Sequence, residues 1–148
     1  MSEIDILIRD FTLDDVSFLA DLTNILGYET TVEQMTIRMK TIIQLDNYWT
    51  FVAVSKGQII GYIGLNKNYL WEQDGYYLRV QALVVAREYR KLGVGQKLMQ
   101  TAEKLARQIK TKIIILNCGN RDERQSAHKF YPKMGFLPKS TGYIKKLD

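Results

Sequence analysis

A glycine-containing turn between a predicted strand and a predicted helix is the part of the sequence best suited to bind a ligand. Residues 84–99 are VVAREYRKLGVGQKLM, where an apolar run meets Gly93 and Gly95 and then an amphipathic pattern. The first amides of a helix have no helical acceptor and carry the positive end of the helix dipole. Glycine lets an anion approach that backbone, and Arg90 and Lys91 add positive charge. The turn therefore predicts a phosphate-binding site.

The spacing of these glycines argues against two common nucleotide motifs. Leu98 stands where GxGxxG needs its third glycine, and GxxxxGK[ST] is absent. Neither a dinucleotide-binding fold nor a P-loop is indicated. A GxG turn alone is weak evidence, because glycines are common at the starts of helices.

Two linked motifs resemble those of the GNAT superfamily of acetyl-CoA-dependent N-acetyltransferases. The coenzyme motif of that family is Arg or Gln, two residues, Gly, one residue, then Gly or Ala, and Arg90, Gly93 and Gly95 match it. A later family segment has Ala, Tyr four residues on, and Gly-Phe at a helix end. The matching positions are Ala127, Tyr131, Gly135 and Phe136. The resemblance covers almost the whole chain and implies a single N-acetyltransferase domain over residues 1–148.

The resemblance implies which residues contact acetyl-CoA, the cosubstrate. Backbone amides from position 92 to 96 would hold the pyrophosphate, and the pantetheine arm would pair as an extra strand with the strand before the turn. A backbone N–H of that strand would polarise the thioester carbonyl. Arg124 stands where many members have an Asn that contacts the coenzyme. The implied contacts are Leu83, Val84, Val85, Arg90, Lys91, Leu92, Gly93, Val94, Gly95, Gln96, Asn117 and Arg124.

Tyr131 matches the family position of the general acid that protonates the departing thiolate. A phenol has a pKa near 10, so it is protonated at neutral pH and can share a proton with a thiol. The alternative is that Tyr131 is a core aromatic on an apolar helix stripe with Ala127, Phe130 and Met134. Pro132 follows within the predicted helix, so a kink is expected there.

The sequence identifies no direct general base. The predicted strand over residues 76–86 carries no Asp or Glu, whereas some family members place a catalytic Glu there. We expect the amine to lose a proton to water or a polar group and to attack the thioester directly, without a metal. Carboxylates near the expected amine pocket are the substrate-binding candidates, and the alternative is that they are solvated surface residues. They are Glu29, Glu33, Glu72 and Asp74.

The single histidine and single cysteine offer little other chemistry. His128 could shuttle protons, but a position on the helix surface is favoured. Cys118 could accept an acyl group with His128 as its partner, but a small packed residue is favoured. One cysteine excludes an internal disulfide, and these two residues leave too few soft ligands for structural zinc.

The charges divide between the two halves of the chain. Residues 1–80 carry 6 Lys and Arg against 11 Asp and Glu, whereas residues 81–148 carry 15 against 5. A basic half suits the phosphates of the coenzyme, which leaves the acidic half to face the acceptor. We therefore expect a small cationic amine. The alternative is two solvated faces without functional meaning.

Composition excludes several other classes of protein. The 148 residues, 46% hydrophobic and 25% charged, fit one soluble domain. The longest uncharged stretch, residues 57–66, is too short for a membrane span, and the start does not resemble a signal peptide. A cytoplasmic protein with no nucleic-acid or membrane partner is expected, and a homodimer is left open. Two rival functions remain: a non-catalytic acyl-CoA-binding module, and less favoured, a nucleic-acid-binding domain.

The elements that position these residues follow from hydrophobic periodicity and capping signals. Apolar alternation at Ile4, Ile6 and Ile8 predicts a first strand. Thr12 with Asp15, and Thr31 with Gln34, predict two helix starts, and Gly27 ends the first helix. Further strands are predicted over residues 48–54, 58–65, 76–86 and 112–116, with one or two more in 136–147. Helices are predicted from Val94 to Ile109 and from Asn120, whose cap pairs with Glu123, to Gly135.

This order predicts an α+β fold. Its mixed, mainly antiparallel sheet would have about six or seven strands flanked by about four helices. The resemblance further implies that the central parallel strands splay apart.

Overall fold

Five β-strands and four α-helices form the described part of the chain in this computed structural model, which covers residues 4–117, 125–139 and 142–147. For residues 125–128 only the backbone is described. The strands are Leu7–Asp10 (β1), Tyr48–Ser55 (β2), Gln58–Tyr69 (β3), Tyr76–Val85 (β4) and Ile114–Leu116 (β5). The helices are Val16–Leu26 (α1), Val32–Ile42 (α2), Val94–Gln108 (α3) and Gln125–Lys133 (α4).

The strands form one sheet in the order β1-β2-β3-β4-β5. The pairs β1–β2, β2–β3 and β3–β4 are antiparallel. Lys56 and Gly57 turn the β2–β3 hairpin with φ values of 51° and 77°. The α+β class with a mainly antiparallel sheet is thus confirmed, whereas the splay of central parallel strands stays a prediction.

The expectation of six or seven strands is wrong for the described residues, which contain five. Residues 136–139 and 142–147 form no strand, although one or two strands were expected over residues 136–147. Tyr143, Ile144 and Leu147 are 94%, 88% and 84% exposed. The pairing of a strand is fixed where one of its faces is buried. This short apolar pattern is interrupted by Lys145 and Lys146, so it provides no continuous apolar face to bury.

The first strand also begins later than the apolar alternation indicated. β1 starts at Leu7, whose partner in the ladder is Val54 of β2. Strand β2 ends one residue later, at Ser55, and enters its hairpin turn, so Ile4 has no β2 residue to pair with. The alternation is nevertheless visible, since Ile6 and Ile8 are half-buried while Leu7 is 61% exposed.

The predicted capping residues mark the end of α1 and the start of α2. Gly27 ends α1 with φ of 110°. The Thr31 hydroxyl accepts from the Gln34 amide at 3.1 Å, and the Gln34 side chain accepts from the Thr31 amide at 3.0 Å, a complete capping box. At the start of α1, a short 3₁₀ helix, Leu13–Asp15, intervenes.

Helices cover both faces of the sheet in the first of two compact units, Met1–Ile115. Tyr62 and Val84 belong to a buried cluster with residues of α1 and α2, and the Tyr62 hydroxyl lies 2.7 Å from the Thr23 hydroxyl of α1. Gly61 precedes Tyr62 on β3 and so faces the other way, where it lies against Val94 and Leu98 of α3. The other unit is Leu116–Asp148, and a single domain stays a prediction.

An ion pair joins β1 to the start of α1. Both terminal nitrogens of Arg9 donate to the Asp15 carboxylate, at 2.8 and 2.9 Å. Asp15 also accepts from the Thr12 amide at 2.9 Å, and only 5% of the residue is exposed. The hydrogen bonds from Arg9 hold the pKa of Asp15 below its ordinary value of 3.8.

Replacing Asp15 by Asn tests this ion pair. Because folding lowers the pKa of Asp15, its stabilisation is fully present above pH 3.8 and is lost as the pH falls through the folded-state pKa. We expect Asp15→Asn to lower the free energy of unfolding by about 1–3 kcal/mol at pH 7 and by less at pH 3. Urea unfolding at both pH values measures the difference, with exposed Asp46→Asn as the control. An equal loss at both pH values would contradict the assignment.

Candidate active site

The chain leaves β4 through a short irregular segment that aims it into α3. A 3₁₀ helix, Arg87–Tyr89, follows β4, and the Ala86 amide donates to Ile60 of β3 at 2.8 Å. Lys91 has φ of 64° and Gly93 has φ of 88°. Gly93 is the N-cap of α3, and its left-handed backbone is a conformation that glycine adopts without steric cost. The two residues turn the chain sharply just before the helix.

The first turn of α3 presents backbone amides without helical acceptors. The Lys97 amide donates to the Gly93 carbonyl at 3.0 Å. The amides of Val94, Gly95 and Gln96 come before this first helical hydrogen bond, so they have no acceptor within the helix. Since α3 has 15 residues, these amides lie at the positive end of a full helix dipole. The arrangement suits an anion.

The space beside this turn is open, and the neighbouring side chains include two cations. A Cβ placed on Gly93 would have nothing within 4 Å, so the turn borders open space. Arg90, Lys91, Leu92 and Gln96 are exposed, and Gly95 is half-buried. The Arg90 Nε donates to the Val85 carbonyl at 3.3 Å, which keeps a cation at the end of β4.

Gly61 allows the start of α3 to lie close to the sheet. A Cβ at this position would lie 2.9 Å from the Val84 carbonyl oxygen and 3.3 Å from side-chain atoms of Val94 and Leu98. No real side chain tolerates the first of these contacts. Gly61 was not among the site residues predicted from the sequence, although a glycine inside a β-branched strand is a signal of close approach.

Strand β4 carries the residues assigned to the pantetheine arm. Leu83, Val84 and Val85 pair with β3, and Val84 is 4% exposed while the other two are half-buried. Gln81 lies two residues before Leu83, where the register between β4 and β3 shifts. Ala82 pairs with Gly64, and Val80 pairs with Leu65. Gln81 is therefore the extra residue of a β-bulge. The bulge was not predicted from the sequence, in which a polar residue within an apolar strand was the available signal.

Two of the four substrate-binding candidates lie where α1 meets α2. Glu29 is exposed in the connecting loop, and Glu33 is exposed in the first turn of α2. The Asn24 side chain orders this loop: its Oδ1 accepts from the Thr30 amide at 2.8 Å, and its Nδ2 donates to the Thr30 carbonyl at 3.1 Å. The carboxylates therefore project from an ordered segment.

The other two candidates, Glu72 and Asp74, are exposed in the turn between β3 and β4. The base of this hairpin is held by aromatic contacts. The Lys67 ammonium lies 4.5 Å from the centroid of the Tyr76 ring and 5.5 Å from that of Tyr69. Such cation–π contacts contribute about 0.5–1 kcal/mol at exposed sites. They position the turn that carries both carboxylates.

The remaining site candidates belong to the second compact unit or lie outside the described residues. Asn117 is exposed just after β5, and Tyr131 is half-buried on α4. The Tyr131 ring meets Phe130 and Phe136 edge to face, with centroids 5.4 and 5.9 Å away. Pro132 is the eighth of nine residues of α4, so the helix ends one residue later. The side-chain roles considered for Cys118, Arg124 and His128, and the caps at Asn120 and Glu123, lie outside the described residues.

Two negative findings concern the residues that the structure describes. Among them, His, Cys, Asp and Glu form no group of three or more that could bind a metal ion. Their helices include none with the length and apolar character needed to cross a membrane.

Comparison with known proteins connects this geometry to one family. The profile of the Acetyltransferase (GNAT) family matches residues 19–136. In solved structures, a GNAT family acetyltransferase from Staphylococcus aureus superposes with a TM-score of 0.82 at 29% sequence identity, covering 97% of this chain and 100% of that one.

Two curated proteins are similar over part of their length. The probable N-acetyltransferase camello of Xenopus tropicalis is 30% identical over 97 residues, which cover 66% of this chain and 42% of that protein. The aminoalkylphosphonate N-acetyltransferase of Salmonella typhimurium is 27% identical over 96 residues, 65% of this chain and 61% of that protein. The matched region thus spans less than two thirds of either relative.

Replacing Gly93 by Val tests the turn as the phosphate site. A β-branched residue at φ of 88° is strained by about 1–2 kcal/mol, and its bulk would occupy the open space beside the amides. We expect Gly93→Val to weaken acetyl-CoA binding by several-fold or more, measured by calorimetry.

Gly57→Val is a matched control for this variant. Gly57 also has a left-handed backbone, with φ of 77° and nothing within 4 Å of an added Cβ, but it lies in the β2–β3 hairpin. It should lower the melting temperature similarly and leave coenzyme affinity unchanged. Equal affinities of Gly93→Val and wild type would remove the turn from the site.

Proposed function

The chain belongs to the GNAT family of acetyltransferases, and on this premise we propose that it transfers an acetyl group from acetyl-CoA to a primary amine. The observation that carries the proposal is the turn between β4 and α3. A glycine with a left-handed backbone, first-turn amides and two exposed cations follow the strand after one short 3₁₀ helix. These features suit the pyrophosphate of a coenzyme whose reactive arm runs back along β4.

Different residues around the turn bind different parts of acetyl-CoA. Amides from position 92 to 96 bind the pyrophosphate, and Arg90 and Lys91 neutralise its charge. Leu83 and Val85 pair with the pantetheine arm through their backbone groups. Asn117 flanks the arm, and Arg124 is retained as a further coenzyme contact. A backbone N–H of β4 polarises the thioester carbonyl, as an oxyanion hole does.

The proposed chemistry is direct attack of the amine on the thioester. The nitrogen lone pair forms a bond to the carbonyl carbon, and the carbon–sulfur bond breaks. The amine nitrogen loses one proton to water, and coenzyme A leaves as a thiolate that takes one proton from the Tyr131 hydroxyl. The phenolate then regains a proton from solvent. The products are the N-acetylated amine and coenzyme A.

The acceptor in this proposal is a small cationic amine. Glu29 and Glu33 project from the α1–α2 region, and Glu72 and Asp74 from the β3–β4 turn, all four exposed. Exposed carboxylates attract an ammonium ion to the site before it is deprotonated.

An acyl-CoA-binding module without turnover is the second candidate function. The observation that favours it is strand β4, whose ten residues include no carboxylate to act as a base. Release of free thiol from acetyl-CoA in the presence of a panel of amines decides between the two. The panel should include polyamines, aminoglycosides, amino acids, a peptide N-terminus and an aminoalkylphosphonate, because a relative is named for the last. Coenzyme binding without thiol release by any amine would support the binding module.

Replacing Tyr131 by Phe tests its role as the general acid. The substitution keeps the ring that packs against Phe130 and Phe136 and removes the proton needed as the thiolate leaves. We expect kcat to fall by about 10²–10⁴-fold while the KM for acetyl-CoA changes little. Tyr143→Phe, at a 94% exposed position of the same unit, is the control. A kcat within about twofold of wild type would assign Tyr131 to packing alone.

Salt dependence tests the proposed preference for cations. We expect small polycationic amines to have higher kcat/KM than neutral or acidic amines, and this advantage to shrink as salt rises. Exposed charges are screened beyond about 8–10 Å at physiological ionic strength. Steady-state kinetics at low and high salt measure the effect.

Variants that remove the charges of these carboxylates identify which pair attracts the cationic amine. The double variants Glu29→Gln/Glu33→Gln and Glu72→Gln/Asp74→Asn should lower kcat/KM for polycations, whereas Asp5→Asn/Asp46→Asn, at two exposed positions, should not. If an acidic amino acid is the best acceptor, or if salt has no effect, the charge division is unrelated to the substrate.

A further inference from the structure

Two hydroxyl groups pair in the apolar interior between the sheet and α1. The Tyr62 hydroxyl of β3 and the Thr23 hydroxyl of α1 lie 2.7 Å apart, and each residue is 5% exposed. Tyr62 belongs to a buried cluster that includes Leu19, Leu22 and Val52. A phenylalanine and a valine would fill the same space without polar atoms. Packing alone therefore does not account for the two hydroxyls.

The pair gives α1 a fixed position that apolar packing does not provide. The hydrophobic effect has no preferred direction, whereas a hydrogen bond is lost when its atoms move apart by about 1 Å. A buried polar pair that is fully satisfied rigidifies a core and selects one arrangement of it. Burial raises the pKa of Tyr62 above its ordinary value of 10.0, so the phenol keeps its proton in the neutral range. The hydrogen bond therefore fixes where α1 lies along β3.

Thr23 also connects α1 to the loop of residues 27–31 (the acceptor loop), which carries Glu29. The Thr23 carbonyl accepts from the Tyr28 amide at 3.1 Å, beyond the end of α1. The next residue of the helix, Asn24, holds Thr30 through two hydrogen bonds of its side chain. Two adjacent residues of α1 thus hold the acceptor loop, while the Thr23 side chain is bonded to the sheet. A shift of α1 would move the loop with it.

Helix α2 is joined to the same hydroxyl. The Thr23 hydroxyl donates to the Met35 sulfur at 3.9 Å. Because a hydroxyl has one proton, the Tyr62 hydroxyl donates to Thr23. Arg38 Nη1 donates to the Met35 sulfur at 3.2 Å, and its Nη2 donates to the Thr30 hydroxyl at 3.4 Å. Polar contacts therefore lead from β3 through both helices and back to the acceptor loop.

At the sheet, the hydroxyl pair lies beside the strand assigned to the coenzyme arm. Tyr62 pairs in register with Val84 of β4. Leu83 and Val85, on either side of Val84, are the residues proposed above to pair with the pantetheine arm. The pair thus joins the acceptor loop to the part of the sheet where the thioester is expected.

We propose that Thr23 and Tyr62 are positioning residues, whose hydrogen bond holds the acceptor loop at a fixed distance from the thioester. The proposal rests on the acetyl transfer proposed above. Attack requires the reacting atoms to be about 3–3.5 Å apart, and a misplacement of about 1 Å can lower the rate 100-fold. Neither hydroxyl contacts the substrate. Both act through the loop that carries Glu29.

A double variant separates positioning from stability. Thr23→Val/Tyr62→Phe keeps the shape of both side chains and removes both hydroxyls, so neither is left unpaired, and such a replacement changes stability little. We expect the melting temperature and the affinity for acetyl-CoA to stay close to wild type. We expect kcat/KM for the amine to fall by about 10–100-fold, with the KM for acetyl-CoA unchanged. Thermal unfolding, calorimetry and steady-state kinetics measure these quantities.

Thr23→Ser is the matched control. It keeps the hydroxyl and deletes one buried methyl group, so it should lower the melting temperature more than the double variant does. Its kcat/KM for the amine should nevertheless stay within about twofold of wild type. In a merely structural role, activity would follow stability, and Thr23→Ser would be the less active of the two variants.

The outcomes separate this inference from the function on which it rests. If wild type acetylates an amine and the double variant matches its kcat/KM, or if Thr23→Ser is the less active variant, only the positioning role is overturned. A double variant that loses affinity for acetyl-CoA as well would assign the pair to the fold as a whole. If wild type binds acetyl-CoA but acetylates no amine of the panel, the proposed function fails and the positioning role fails with it.

Discussion

The close approach of α3 to β3 and β4 is the constraint on which the candidate coenzyme site depends. Gly61 makes it possible, since a side chain there would collide with the Val84 carbonyl and crowd Val94 and Leu98. The contact places the first turn of α3 beside the end of the strand assigned to the reactive arm. Backbone amides then present the positive charge, so the candidate phosphate site depends little on the identity of exposed residues such as Leu92 and Gln96. What the site requires is the backbone path at Lys91 and Gly93.

Local signals in the sequence were sufficient for most of the fold. The capping box of Thr31 with Gln34 and the terminal Gly27 depend on neighbouring residues alone, and the structure confirms both. The extent of β1 and the number of strands depend on partners distant in sequence. Ile4 is apolar and alternating, yet β2 turns away before it could pair. Periodicity describes a segment's own pattern, whereas strand formation also requires a partner of sufficient length.

The candidate site was predictable to the extent that its chemistry is carried by short motifs. The turn after β4 could be assigned because its glycines and cations are adjacent in sequence, and the helix start at Val94 is confirmed. Gln81, Asn66 and Gly61 could not be assigned in that way. Their significance comes from contacts between elements. Gln81 lies where Gly64 and Leu65 pair on either side of it, and the Oδ1 of Asn66, buried on β3, finds no donor among the described residues. A single sequence does not specify the alignment of two strands to one residue.

A cationic acceptor does not require a carboxylate on β4. A carboxylate can attract an ammonium ion from several ångströms away, whereas loss of the amine's proton is favoured when no carboxylate contacts the nitrogen. A carboxylate acts on an approaching ammonium ion over several ångströms, and at that range it raises the local concentration of the amine. In direct contact it would also stabilise the proton that must leave before the nitrogen can attack. The described carboxylates of the acidic half include Glu29 in the α1–α2 loop and Glu72 in the β3–β4 turn, while the exposed position within β4 is the neutral Gln81. Charge at the periphery and a strand β4 without carboxylates would allow a cation to be attracted and a neutral amine to react.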